Sequence, residues 1–348
     1  MTTPEQWTDR WDALTRRTLA EVETCDPLYR PTNFWQPGVH RLMEQMAEIG
    51  LDGFKTWPEA FFWFYPVYGR GLTPETVDDL IRQARRREGP DVARWVRRAL
   101  RGVHEARRDY DLAQMAWDQH RWPADLGAYG ESHIGRPTQT YRLGSGPARF
   151  AKPYLNYLLG LAALSRHVDE PPRSFLELGG GFGVLGEILL ARDPEARYVD
   201  VDIPPLLTVA TYYLTELFGD DRVLSYDDRV ADTGPVEVAG SACLPSWRLP
   251  DLVGDFDVFW NSFSFQEMEP PVVANYVDKV ADLRVRYVVS LNSREGKPVG
   301  DVGEVGVREQ VTSRAVVDLF EARGYRLLGA YNRPLLNSAG ELAVLARR

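Results

Sequence analysis

Ser174-Phe-Leu-Glu-Leu-Gly-Gly-Gly-Phe-Gly-Val-Leu-Gly-Glu-Ile-Leu-Leu190 reads as a short buried strand, a glycine turn and the first turns of a helix. Phe175, Leu176 and Leu178 form an apolar run, glycines follow at 179, 180, 181 and 183, and Val184, Leu185, Ile188 and Leu189 repeat at helical spacing. A glycine turn between strand and helix lets a ligand approach the backbone, because no Cβ intervenes and the first N–H groups of the helix are free. The pattern predicts a cradle for a nucleotide-like ligand.

On the C-terminal side, Ala196-Arg-Tyr-Val-Asp-Val-Asp-Ile-Pro-Pro205 predicts a second strand, and Leu206 to Phe218 the helix after it, completing a βαβ unit. Asp202 lies about twenty residues past Gly179, where such units place a carboxylate on ribose hydroxyls. Asp200 is the rival, but period-two alternation and the Pro-Pro that ends the strand favour Asp202. A third strand is predicted near Val223–Ser225, followed by an irregular stretch containing Ala242-Cys-Leu-Pro-Ser-Trp247. Phe256-Asp-Val-Phe-Trp-Asn-Ser-Phe-Ser-Phe-Gln-Glu-Met268 predicts an apolar strand with a polar C-terminal end. In an open α/β sheet that end faces the ligand crevice, so Asn261, Ser262, Gln266 and Glu267 are site candidates. Pro270 and Pro271 open a helix, Tyr287–Ser293 is a further strand, and Thr312 caps a helix stopped by Gly324. Tyr325–Tyr331 and Glu341–Ala346 predict two strands joined by an Asn/Pro/Gly loop too short for a parallel crossover, which makes the last strand antiparallel.

On the N-terminal side, residues 5–22 (Trp7, Trp11, Leu14, Thr18, Val22) and the run from Val39 to Ile49 predict amphipathic helices. Asn33-Phe-Trp-Gln-Pro37 and the segment from Gly53 to Gly69 are dense in aromatic rings. They predict a core seam between cap helices or, in the sharper reading, rings that close over a bound cation. Residues 74–108 predict a helix capped by Thr73 or Thr76, with its many arginines forming a solvated face. Residues 130–160 form a Gly- and Pro-rich loop leading into a helix that ends near Arg166; this stretch carries His133, Gln139, Tyr141, Arg149, Tyr154 and Asn156. Asp169-Glu-Pro-Pro-Arg173 marks a boundary between a helical, aromatic-rich cap at 1–168 and a ligand-binding domain at 169–348.

The chain has 348 residues, 44% hydrophobic and 26% charged, as expected of an enzyme with a substantial core. A net charge of −9 argues against nucleic acid and anionic membranes as partners. Cys25 and Cys243 are far apart with no CxxC, which fits a reduced interior and excludes a cysteine-based zinc site. No signal peptide and no bilayer-length apolar run is evident, so a cytoplasmic location is expected.

Gly181-Phe-Gly-Val-Leu-Gly186 also satisfies a dinucleotide fingerprint, a weak match on its own. Glu177 before the first glycine, the antiparallel last strand and the polar strand end at Asn261 point instead to a sulfonium nucleoside. On these residues the chain resembles the class I S-adenosylmethionine-dependent methyltransferases. Gly53-Phe-Lys55, Gly135-Arg-Pro137, Asp202-Ile-Pro-Pro205 and Ser290-Leu-Asn292 are similar to motifs of a bacterial sugar O-methyltransferase group. The resemblance implies a Rossmann-like α/β sheet with an N-terminal helical cap. It implies S-adenosylmethionine as cofactor, a small hydroxylated metabolite as substrate, and O-methylation in a biosynthetic pathway, with a homodimer left open. It places Gly179, Gly181 and Gly183 against the methionine and ribose parts, Asp202 on the ribose, Ile203 on the adenine, and Leu244 or Trp247 as a second adenine contact. Glu177 either contacts the ligand or only orients the turn.

Methyl transfer to an alcohol needs in-line placement and a base. All five histidines (40, 104, 120, 133, 167) precede the cradle, and His133 is the best placed base, with Glu267 the carboxylate alternative or a mere helix support. Gln139, Tyr141, Gln266 and Asn292 are candidates for holding the acceptor. No compact His/Asp cluster suggests a metal. Two alternatives stand beside methyl transfer. One is intramolecular cyclisation of S-adenosylmethionine to azetidine-2-carboxylate, with the amine deprotonated by neutral acceptors such as Tyr154 or Asn156. The other is a noncatalytic subunit that binds the adenosyl ligand.

Overall fold

A computed structural model describes residues 4–69, 74–119, 121–122, 125–226, 233–332 and 340–348. Thr73, His120 and the tip of the C-terminal hairpin (333–339) lie outside the described residues, as does the side chain of Trp7. Helices α1 (Pro4–Val22), α2 (Gln36–Ile49), α3 (Ala60–Trp63), α4 (Pro74–Glu88), α5 (Pro90–Leu100), α6 (Val103–Trp117) and α7 (Lys152–Ser165) precede the sheet. The alternating half follows as β1 (Ser174–Leu178), α8 (Val184–Arg192), β2 (Arg197–Asp202), α9 (Leu206–Phe218), β3 (Val223–Leu224), β4 (Val236–Glu237), β5 (Ser241–Pro245), β6 (Leu252–Val253) and β7 (Val258–Ser262). It ends with α10 (Pro270–Asp282), β8 (Tyr287–Ser293), α11 (Ser313–Ala322), β9 (Tyr325–Asn332) and β10 (Gly340–Arg347).

The main sheet runs β3-β5-β2-β1-β7-β8-β10-β9. β10 pairs antiparallel with both β8 and β9, while every other neighbouring pair is parallel. The order therefore reverses beside β1, and the C-terminal ends of β1, β2 and β7 open on one crevice, where ligands of such sheets bind. Strands covered on both faces need continuous apolar runs, and β1, β2 and β5 are almost wholly buried along their length. α10 buries Val273, Tyr276, Val277 and Val280 as its period predicts, and the Thr312 hydroxyl accepts the Ala315 N–H to cap α11.

Two expectations are corrected. The strand beside β2 is β5, inside the stretch read as irregular, whereas 223–224 is a two-residue strand on the far edge of β5. The Arg-rich region is three helices, because Gly89 (φ 92) and Gly102 (φ 66) adopt left-handed backbone that breaks the run. α4 and α5 share a small cluster of their own, Val77, Ile81 and Ala93, and the remaining cap helices join the main core. α7 is buried around its whole circumference between α6, α8 and the sheet. Among the described residues no helix is long and apolar enough to cross a membrane.

Candidate active site

A cavity of about 280 Å³ lies over the C-terminal ends of β1, β2 and β7, walled on the far side by the cap. Its size is just below the range of small-molecule sites, roughly 300–1,000 Å³. Gly179, Gly180, Gly181 and Phe182 form one wall. Gly179 has φ 73, and a Cβ there would come within 2.5 Å of Ser264 Cβ, so the turn is closed to any side chain at that position. Gly181 has φ 67, with open space where its Cβ would point except for Phe64 Cβ at 3.5 Å.

Asp202 ends β2 at the cavity. Its Oδ2 accepts the Gly181 N–H (2.9 Å) and its Oδ1 the Ile203 N–H (2.7 Å). Burial pushes this carboxyl above the usual range, opposed by those two N–H groups. Ile203, Leu206, Ser246 and Tyr276 continue the wall from there. Behind the turn, Glu177 is fully buried and accepts the hydroxyls of Tyr157 (2.7 Å) and Tyr198 (2.6 Å). Burial raises its pKa to about 8 despite these bonds. Asp200, equally buried, holds the Gly180 N–H at 3.1 Å beneath the turn.

The polar end of β7 is a connected network. Asn261 Nδ2 donates to Leu178 O (3.1 Å), Asn292 Nδ2 donates to Asn261 Oδ1 (3.0 Å), and the Gln266 N–H donates to Asn292 Oδ1 (3.2 Å). Phe263 sits at φ 67, a conformation uncommon for a bulky residue, and it lines the cavity together with Ser262, Ser264 and Gln266. The cap supplies Trp35, Phe62, Trp63 and Phe64; the Trp35 and Trp63 rings are 5.1 Å apart. Glu267 reaches the same wall, where Lys297 Nζ lies 2.9 Å from Oε1 and Trp35 Nε1–H donates to Oε2 at 3.0 Å. Burial raises the Glu267 pKa, and Lys297 and Trp35 work against that rise.

Of the residues singled out from sequence, Gly179, Gly181, Asp202, Ile203, Ser262, Gln266, Glu267 and Asn156 meet at this cavity. Asn156 brings a buried Oδ1 with no hydrogen-bond partner. Glu177, Asn261 and Asn292 stand one layer behind, tying down the residues that do line it. Gly183 is there too, as the left-handed N-cap of α8.

The structure does not bring the others to the cavity. His133 is exposed on the loop outside it. Tyr154 faces the cap and accepts the Gly130 N–H at 3.2 Å, since α7 turns Asn156 and not Tyr154 toward the cavity. Gln139 accepts the Tyr68 N–H (2.9 Å), and Tyr141 donates to Arg101 O, both inside the cap. Leu244 points into the sheet core and Trp247 donates to Glu21 Oε2 (3.2 Å), leaving Ser246 between them on the cavity wall.

Sequence reasoning missed Lys297, Lys152, Tyr157 and Tyr276 as lining residues. Tyr157 and Tyr276 read as helix core, and Lys297 lies in a loop with no motif. Trp35 and Trp63 were inside the aromatic segments already marked.

No protein-family model matches the chain, and no curated protein matches it. Structural neighbours include magnesium protoporphyrin IX methyltransferase (ChlM) from Synechocystis PCC 6803 with bound SAH, at 12% identity over 57% of this chain and 84% of that one, TM-score 0.41. The pyocyanin biosynthetic protein PhzM is 18% identical over 89% of this chain and 93% of that one, TM-score 0.38. The mitomycin 7-O-methyltransferase MmcR is 14% identical over 89% and 68%, TM-score 0.37. These likenesses are too distant to carry residue roles, and the fold rests on the sheet itself. In the order and sense of its strands, the sheet is a Rossmann-like α/β sheet whose strand β10 runs antiparallel to its neighbours.

Proposed function

We propose that the chain is an S-adenosylmethionine-dependent methyltransferase acting on the hydroxyl of a small metabolite, a sugar or a natural-product intermediate. The observation that supports this most is Asp202. A carboxylate at the end of β2, hydrogen-bonded to the glycine turn after β1 and open to the cavity, is placed to accept two vicinal hydroxyls. The fit extends around it. Gly181 leaves open space that a side chain would fill, Ile203 and Leu206 offer an apolar seat for a base, and Trp35, Trp63 and Phe64 offer ring faces to a cation. We assign the region 169–348 to the cofactor and the cap, 1–168, to closing the site over the acceptor.

When bound, S-adenosylmethionine supplies an electrophilic methyl group. The chain's own part is orientation, exclusion of water by the aromatic wall, and removal of a proton. Glu267 takes the last role: its carboxylate, paired with Lys297, receives the acceptor's hydroxyl proton at Oε1 or Oε2.

The test is incubation of the purified protein with S-adenosylmethionine, alone and with sugar and phenolic alcohols, followed by mass spectrometry. S-adenosylhomocysteine that forms only with an acceptor supports the proposal. Methylthioadenosine and a four-carbon cyclic amino acid from the cofactor alone would replace it with cyclisation, and intact ligand in every arm with a binding role.

A further inference from the structure

Two cap segments, Gly53-Phe54-Lys55 and Gly135-Arg136-Pro137, stand apart from the cavity lining. They meet each other. The Lys55 N–H donates to Gly135 O at 3.0 Å, and Gly135 sits at φ 82. A Cβ on Gly135 would lie 2.5 Å from the Phe54 ring and 2.9 Å from Lys55 Cγ, so glycine is what lets the two segments close.

The contact buries an ammonium completely, and a buried charge is costly unless it is paired and hydrogen-bonded. Lys55 Nζ lies 2.8 Å from Glu131 Oε1 and donates to the Tyr213 hydroxyl at 3.0 Å. Tyr213 in turn donates to Glu187 Oε2 (2.7 Å) on α8, and Tyr65 donates to Glu131 Oε1 (3.0 Å). Glu187 Oε1 accepts the Ser132 N–H at 2.8 Å. Lys55, Tyr65, Glu131 and Ser132 belong to the cap; Glu187 and Tyr213 belong to helices packed on the sheet.

At the centre of this cluster is the ring of Phe182, between the left-handed Gly181 and Gly183. Lys55 Nζ stands 4.9 Å from its centroid, and Phe54, Tyr65 and Tyr213 surround it at 5.6, 5.5 and 5.4 Å. The other side of Phe182 lines the cavity. We infer that Lys55 is a positioning residue: from behind Phe182, its buried ammonium, shared by Glu131 and Tyr213, locks the glycine turn to the cap, so the cradle takes its shape only with the cap docked. The locking stands on these contacts alone; the ligand used to read it out rests on the function proposed above.

Hydrogen–deuterium exchange of the unliganded protein and calorimetry with S-adenosylhomocysteine test this on Lys55→Met, Lys55→Met/Glu131→Gln and Tyr65→Phe. The double variant removes the cation and one carboxylate together and so avoids stranding an extra charge. Tyr65→Phe removes one hydroxyl and leaves all charge in place. Exchange at residues 179–184 should rise about tenfold in the lysine variants and about threefold in Tyr65→Phe, with β10 unchanged, and ligand affinity should fall by similar factors. Unchanged exchange at 179–184 in the lysine variants, or a rise shared equally by β10, would overturn the inference, because the first means no locking and the second only a general loss of stability. Should wild type not bind S-adenosylhomocysteine, the proposed function fails while the exchange result still decides the role of Lys55.

Discussion

Asp202 Oδ2 accepts the N–H of Gly181 at 2.9 Å, so the carboxylate that ends β2 and the turn that follows β1 form a single unit at the cavity. Asp202→Ala should weaken S-adenosylmethionine binding roughly 100-fold, the loss of two charge-assisted hydrogen bonds to ribose. Calorimetry reads the affinity, and circular dichroism should show the fold retained.

Gly181 separates backbone strain from space. Its φ of 67 disfavours any side chain by about 1–2 kcal/mol, yet a Cβ at this position would have its nearest neighbour 3.5 Å away. Gly181→Ala should fold and lose about 1–3 °C in Tm. Gly181→Val, β-branched and projecting toward the cavity, should abolish cofactor binding in the same assay.

Burial raises Glu187 to about 7 and Glu177 to about 8 in the folded chain. Their folded pKa values exceed the unfolded ones, so the native state holds more protons between these limits and stability falls as pH rises through them. Glu187 alone contributes a loss of about 3 kcal/mol between pH 4.5 and 7. Tm should therefore fall from about pH 4.5 to about 8. Glu187→Gln, which keeps a neutral acceptor for Ser132, should flatten the profile measured by thermal unfolding.

Under the proposed function, Glu267 and Lys297 divide binding from chemistry. Glu267→Gln should reduce kcat about 100-fold or more with cofactor affinity within a few-fold of wild type. Lys297→Met removes the cation that opposes the rise of the Glu267 pKa, so the rate should shift its pH dependence upward. Pre-steady-state rates across about pH 6–9 check both.

His133 is exposed and outside the cavity wall. His133→Ala should leave turnover within about twofold of wild type, as surface substitutions generally do.

The chain order of strand, glycine turn and helix was legible in the sequence from 174 to 190 because each local choice agrees with it: an apolar run, glycines where left-handed backbone is needed, then helical spacing. The same consistency made Asp202, the capped helix at Thr312 and the reversed last strand readable, the last because a short connection leaves no room for a parallel crossover. Tertiary pairing decided the rest. Ser241-Ala-Cys-Leu-Pro245 has little strand character of its own and becomes β5 because β2 offers it an edge. α7 is apolar on every side, so periodicity gave no way to tell that Asn156 rather than Tyr154 meets the cavity. Lys55 and Gly135 were visible as residues, but their purpose was not. Hydrogen bonds between segments far apart in sequence carry no local signature, and only the folded chain places that ammonium behind Phe182.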